Sequence, residues 1–554
     1  MSAPAAVPRL SFAALALVIA GLVLMFAGWS LPANLKSVSP ALLRAAGVGT
    51  PTLGAFGRDL VDLEKLGPAA LVLAATRATD DPRAPALAAA IEAYAARQPA
   101  LVAWGGWDAF LDPLFGLRTD SGRHASTPVL TFFIPERARA ALRASLANTG
   151  SLGVQSLLRL PELTATGRFV PAARAGGQPL DALILLSAVL YQGERLAPPL
   201  QRELRTLADT ALEKKDLGAL EPFFLDLLSL GRRLDWKQLS ELLRRTESMK
   251  TVGHFAQLAR VTPDQLPLIY AAAVFSDSAD RVADYLIQFG QSGLADLRLT
   301  LGLGQGAVRQ LLAQQVPVNR SAGRALDLAS RLTLLHPHFA LLLKYLGYVL
   351  GAFLVLRGLD RALLLPGDLL RPAALIPHMR SGVLAVLFAG LLIVASEPFL
   401  LKAAPPSEYL LHLRLPVLVA TTEISSSSNS QPTATMETST LLSIGLFASL
   451  QVAMYFICLL KIREVGRQPV PPLVKLKLME NEENLFDGGL YVGIAGTATA
   501  LVLQVMRVIE PNLLAAYASN LFGIICVALV KIRHVRACKR ELILEAQAEA
   551  KLTS

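Results

Sequence analysis

The 554-residue chain is 53% hydrophobic and only 17% charged, with a mean hydropathy of +0.46. Soluble domains carry about 25% charged residues, so water-facing domains alone do not account for it. The net charge of +10 is not gathered into a basic run interleaved with aromatics, which argues against a nucleic-acid partner, and Cys458, Cys526 and Cys538 imply no disulfide framework.

Residues 11–30, SFAALALVIAGLVLMFAGWS, form the first apolar run, with Trp29 at its far edge. Roughly 20 residues at ~1.5 Å each cross a ~30 Å hydrocarbon core. The run is long for a cleaved leader and lacks a clean A-x-A site. The expectation is an uncleaved anchor at residues 1–30, with a signal peptide as the rival.

Residues 31–338 hold no continuous spanning run and divide into two parts. In 31–176, the short apolar runs AALVLAA (69–75) and ALVAW (100–104) flank an Ala-rich helical stretch, 81–97. VLTFFI (129–134) reads as a strand and is followed by helical PERARAALRASLA, so this part is expected to be a small α/β subdomain. Residues 177–338 read as successive helices. Asp235 and Gln238 frame WKQLSELLRR as a capping box. Thr262-Pro263-Asp264-Gln265 opens another helix with Pro at its first position, and SDSADRVADYLIQF (276–289) starts similarly. A helical array of the solenoid kind is expected, without a fixed period.

Further apolar segments follow at Phe339–Leu356, Val383–Leu401, Leu441–Leu460, Gly489–Val508 and Leu513–Val530. The first two fall in 339–403 and the last three in 441–534. Between these groups, 404–440 contains the Ser/Thr-rich stretch 421–440 and is expected to be a flexible outer loop. A short turn with Arg507, Glu510 and Pro511 joins the last two segments, and 535–554 form a tail. Arg357, Arg361, Arg371 and Arg380 lie in one loop. Lys461, Arg463, Arg467, Lys475 and Lys477 lie in another, and Lys531, Arg533, Arg536, Lys539 and Arg540 open the tail. The positive-inside rule puts these stretches and both termini in the cytoplasm, and 31–338 and 403–440 outside. The expected fold class is a membrane protein: a six-helix transmembrane bundle with a large, mainly α and part α/β extracytoplasmic domain. The Ala/Leu/Arg-rich composition suggests a bacterial cell inner membrane.

Two ionisable residues fall inside these segments, Lys344 and Glu397. Each lies about five residues from an outer end, or roughly 7 Å deep on the same side. Intramembrane charges pair or line pathways, so a Lys344–Glu397 ion pair is expected, with snorkelling to the interface as the alternative. The small residues of Gly493-Ile-Ala-Gly496-Thr497-Ala-Thr499-Ala500 and of Ala515-Ala516-Tyr517-Ala518-Ser519-Asn520 suggest a close helical hairpin, with Thr497 and Ser519 or Asn520 inside.

This last pair, 485–534, resembles the final two helices of the TolQ/ExbB/MotA proton-channel family. GIAGTAT, with Thr497, stands where the family has a Gly-Leu-x-Gly-Thr-Val-type start. AYASNLFG, with Ser519, stands at its Ala-Thr-Ala-x-Gly-Leu-type segment. The resemblance implies an oligomeric energy-transducing channel subunit. An anchor, a large outer domain and three more crossings also match the plan of FtsX/MacB-type permeases in architecture alone.

Elsewhere, GLGQGAVRQLL (302–312) lacks phosphate-loop spacing and reads as a turn before a helix. His336-Pro337-His338 reads as an interfacial junction, and Trp104 and Trp107 as core or membrane-resting residues. No catalytic motif, metal set or cofactor is implied. The expected role is a scaffold or envelope-complex subunit that binds protein partners through 31–338 and sits in the lipid bilayer, with a homo-oligomer as one possible form.

Overall fold

Helices account for the regular structure of this chain in a computed structural model that describes residues 12–108, 110–111, 126–320, 326–363, 375–397, 399, 438–505 and 513–553. No strand occurs among them; one isolated bridge joins Ala165 and Asp216.

In chain order the helices begin with α1 (Phe12–Ser30), α2 (Pro40–Gly47), α3 (Leu53–Asp62), α4 (Leu66–Ala78) and α5 (Ala84–Arg97). Next come α6 (Leu130–Phe133), α7 (Glu136–Leu146), α8 (Leu152–Arg159), α9 (Gln178–Gln192), α10 (Pro198–Lys214) and α11 (Leu220–Gly231). They continue with α12 (Trp236–Leu243), α13 (Met249–Val261), α14 (Leu266–Ser276), α15 (Ala279–Leu303), α16 (Gln305–Gln314) and α17 (Asp327–Leu335). The rest are α18 (Pro337–Leu363), α19 (Leu375–Ser396), α20 (Thr438–Arg467), α21 (Pro472–Asn481), α22 (Glu483–Phe486), α23 (Gly488–Val505), α24 (Leu513–Ala528) and α25 (Arg536–Thr553). Leu42–Val318 form one compact unit. Among the described residues, those up to Ala41 and from Asn319 belong to the other.

In the Leu42–Val318 unit, the expected strand at 129–134 is the one-turn helix α6. Phe132 and Phe133 are both buried, Phe132 stacked on Trp104 at 4.1 Å and Phe133 facing Trp236 at 6.4 Å. A strand would send neighbouring side chains to opposite faces. A helical turn separates them by about 100°, so both enter one core. Strand propensity describes fit to a pleated surface, and here no partner strand provides one. The α/β reading of 31–176 is therefore corrected to α among the described residues. The capping box at Asp235 forms as read, with reciprocal bonds to Gln238. Gly304, at φ +116°, turns the chain between α15 and α16.

A solenoid repeat touches only its neighbours. Here α4 packs against α14, far along the chain, and α12 lies against both. The cause is composition: α14, LPLIYAAAVFS, is apolar all round and has to be covered on every side. All eight residues of α12 are buried.

The other unit begins with an antiparallel pair, α1 and α18. The buried residues of α1 are Ala14, Gly21 and Gly28, seven residues apart. A Cβ on Gly21 would stand 2.6 Å from the Gly351 carbonyl oxygen, and one on Gly358 would stand 2.8 Å from that of Ala14. Missing side chains thus let the two backbones touch, and the period of seven keeps the seam facing its partner. Only α1 and α18 are long and apolar enough, among the described residues, to cross a membrane. The apolar stretch Leu66–Ala78 belongs to the core of the Leu42–Val318 unit.

α19 packs on α18, α20 reaches α19, and α20, α23 and α24 pack together. The α19 helix ends at Ser396, one residue before Glu397, because the residue preceding Pro398 is driven out of the α region. Glu397 thus caps the helix end and does not lie within it. The loop expected to run to 440 gives way to helix at Thr438; its remainder, 404–437, lies outside the described residues, as do Arg371, Arg507, Glu510 and Pro511. Beyond α24 the chain forms a π-helical segment, Leu529–Val535, before α25.

Candidate functional site

The α1–α18 seam ends in a buried polar cluster. Tyr348 packs its ring where a Gly28 side chain would be. One turn earlier, Lys344 turns its ammonium towards the chain leaving α1. Lys344 Nζ donates to the Ala33 carbonyl at 2.7 Å, to Asn34 Oδ1 at 2.7 Å and to Glu397 Oε1 at 3.1 Å. These use all three of its donors. Glu397 also accepts from the Tyr345 hydroxyl at 2.8 Å and, through Oε2, from the Leu35 backbone N–H at 2.9 Å. The Lys344 and Glu397 side chains are only 3% and 1% exposed. The cluster ties three separate stretches together: the exit of α1, the first turns of α18 and the end of α19. With every donor used and both oxygens occupied, it forms a closed lock, with no proton acceptor standing open.

In the hairpin of α23 and α24, the Thr497 hydroxyl donates back to the Gly493 carbonyl at 2.9 Å. The Ser519 hydroxyl reaches the same oxygen at 3.3 Å. A Cβ on Gly523 would lie 2.6 Å from the Gly489 oxygen, so these helices also meet through backbone. Asn520 is half-buried, and its Oδ1 has no hydrogen-bond partner among the described residues. Gln451, on α20, was not singled out from the sequence. It is buried, its amide donates to the Gly489 carbonyl at 3.0 Å, and its Oε1 has no partner among the described residues. A single Gln inside an apolar run is the signal that marks it.

All three thiols are free. Cys458 and Cys526 lie in a buried cluster with Val530, Met479 and Phe486, and Cys538 packs against it. No group of metal-holding residues occurs among the described residues. At the far end of the hairpin, Lys531 lies 2.8 Å from Asp487, and the Tyr455 hydroxyl shares a 2.8 Å hydrogen bond with His534.

The Leu42–Val318 unit holds a second buried polar cluster, around α12. Asp108 accepts from Trp236 Nε1 at 2.8 Å and lies 3.2 Å from Arg195 and 3.6 Å from Lys237. Burial pushes its carboxyl up, but the Trp236 bond, Lys237, the Leu111 N–H and Arg195 outweigh burial and hold it below the usual carboxylate range. Glu241 contacts Lys65 at 2.7 Å and Arg245 at 2.6 Å, and these likewise outweigh burial. Asp235 differs. Its carboxylate is wedged where side chains on Gly67 and Gly105 would stand. One oxygen accepts from the Gln238 N–H at 2.8 Å, and Oδ2 has no partner among the described residues. Burial pushes this carboxyl up to about 8, against the pull of the Gln238 and Lys237 backbone bonds and the Lys237 charge. The buried Tyr270 hydroxyl nearby also lacks a partner among the described residues, and burial raises it well above its ordinary value. Sequence reading found Asp235 and Gln238 through the capping box. It missed Asp108, Lys237 and Glu241, because a charged residue carries no mark of burial in its own letter.

Trp104 is fully buried, Trp107 is exposed, and His336 and His338 are both exposed at the start of α18. No family model matches this chain, and neither a curated protein nor a solved structure matches it.

Proposed function

We propose that this chain is an integral inner-membrane scaffold or complex subunit that holds a protein-binding helical unit outside the cytoplasm. The observation that supports this reading most is the antiparallel α1–α18 pair. Gly28 meets Lys344 and Tyr348, while Ala14 meets Gly358, so the chain leaves α1 and enters α18 at the same end. Residues 42–318 are thus the stretch of chain between the two helices of the pair. The pair turns small residues inward and leaves Ile19, Val23, Phe26, Leu342 and Leu346 exposed. Apolar surface of that extent calls for lipid.

On this reading α19, α20, α23 and α24 supply four further crossings. The basic residues that follow α18, α20 and α24 support, by the positive-inside rule, the reading with both termini in the cytoplasm and 31–338 outside. The chain then presents its helical unit to envelope proteins, alone or as a homo-oligomer.

A second reading is a channel subunit of the TolQ/ExbB/MotA kind. It draws on the meeting of the Thr497 and Ser519 hydroxyls at the Gly493 carbonyl inside a close-packed hairpin.

Purification in mild detergent at native expression, with partners and subunit number read by mass spectrometry, separates these. The scaffold reading expects an envelope protein that is lost when residues 42–318 are replaced by a short linker. A multimer carrying a single-span partner with an intramembrane acid would favour the channel. A cytoplasmic ATPase partner would favour a transporter permease. Failure to recover any partner dependent on 42–318 removes the scaffold reading.

A further inference from the structure

The short helix α17 (Asp327–Leu335) has its amphipathicity inverted. Its buried residues are polar: Ser330 and Thr333 are 2% and 3% exposed, whereas Leu328 and Leu335 are 81% and 74% exposed. The Thr333 hydroxyl donates to the Ala329 carbonyl at 2.8 Å, so it needs no water. Leu328, Leu332 and Leu335 are spaced i, i+4 and i+7 and share one side of the helix. A single residue, His336, separates α17 from α18. Beyond His336, whose backbone is not helical (φ −136°, ψ 72°), α18 leaves Phe339, Leu342 and Leu346 exposed, spaced by three and four. At the same end of the α1–α18 pair, Trp29 is exposed on the last turn of α1. Indole rings favour the membrane–water boundary. Arg331 is exposed on the flank of the leucine side, where a long cationic side chain can lay its stem on apolar surface and keep its head at phosphate level.

We infer that α17 lies in the outer headgroup layer of the bilayer, with Leu328 and Leu335 dipping into the acyl boundary and Arg331 held among the phosphates. The occupant of this face is a lipid surface, because the exposed leucines lie next to the start of α18, whose own exposed Phe339, Leu342 and Leu346 face the hydrocarbon. This rests on the reading of α18 as a membrane crossing. Such a helix fixes the depth at which the chain enters α18, since sliding the crossing inward would drag Arg331 out of the headgroups.

The test uses the full chain in vesicles of phosphatidylethanolamine and phosphatidylglycerol. Nitroxide labels are placed through Leu328→Cys, Leu335→Cys and, on α18, Leu346→Cys. The wild-type chain, whose own thiols are buried or half-buried, measures background labelling. Collision rates with oxygen, which concentrates in lipid, and with an aqueous nickel chelate are then compared. The expected result is an oxygen-to-chelate ratio at 328 and 335 several-fold above that of a free label in water, and a higher ratio still at 346. Chelate dominance at 328 and 335 with oxygen dominance at 346 would overturn the interfacial helix and leave the crossing in place. Shielding of 328 and 335 from both colliders would mean that protein covers the face, and would also overturn it. Chelate dominance at 346 would remove the crossing on which the inference rests.

Discussion

The two buried charge clusters solve the same problem differently. Around Lys344 and Glu397, each polar group has its partner, and backbone atoms of residues 33 and 35 complete the set. Around α12, Asp108 and Glu241 are matched by cations, but Asp235 keeps an oxygen with no donor among the described residues. A buried carboxylate without full compensation moves its proton equilibrium in place of its position. The first cluster is a lock that works as a unit. The second leaves one group able to titrate.

The largest effect should come from breaking the lock on one side. Glu397→Ala leaves an ammonium buried with one partner fewer and frees the Leu35 N–H and the Tyr345 hydroxyl. A loss of about 3–5 kcal/mol is expected, read as a fall in the unfolding midpoint in detergent. The exchanged pair, Lys344→Glu with Glu397→Lys, should recover little. A carboxylate at 344 would face the Ala33 carbonyl, and an ammonium at 397 would face the Leu35 N–H. Full recovery would show that charge alone matters and that the backbone partners do not.

The second cluster should respond to pH. Asp235 has a folded value near 8, raised from an ordinary value of 3.8. Its neutral form favours the fold. That contribution is complete below about pH 4 and is lost as pH rises through 8, with a slope of at most about 1.4 kcal/mol per pH unit. Asp235→Asn keeps a competent helix cap and should flatten this slope in denaturant unfolding followed by tryptophan fluorescence. An unchanged profile would mean that Asp235 is not the titrating group.

Smaller effects probe the helix seams. Gly351→Leu places a branched side chain against the Gly21 oxygen and the Met25 backbone, and should cost about 1–3 kcal/mol by overpacking. The exposed Val23→Leu should cost nothing measurable. The same seam expects α1 to remain in the mature chain, so peptides covering residues 12–30 should be recovered from purified protein by mass spectrometry. In the hairpin, Ser519→Ala removes one bond to a carbonyl that Thr497 still reaches, at a cost of about 0.6 kcal/mol. A much larger loss would give that hydroxyl a role beyond packing.

Legibility followed the range of the interaction. The Asp235–Gln238 capping box lies within four residues and could be read directly. For Lys344 and Glu397, counting along apolar segments offers only equal depth; their 3.1 Å contact, and the parts played by Ala33, Asn34, Leu35 and Tyr345, depend on three segments converging. Ala14, Gly21 and Gly28 are visible at a spacing of seven, yet their meaning appears only beside Gly351 and Gly358. VLTFFI misled because its letters suit a strand while its surroundings provide a core pocket on one side and no neighbouring strand.

By itself, then, the amino-acid order determined where the apolar helices lie and where several begin, two of them long and apolar enough to cross a membrane among the described residues. These properties sum over local windows of backbone propensity and side-chain transfer. Tertiary structure alone decided which charges are buried, which glycines touch backbone, and which of the carboxylates at α12 keeps one oxygen without a partner among the described residues. Each of those depends on atoms far apart along the chain arriving within a few ångströms of one another, and desolvation in the packed interior then makes small differences in distance count.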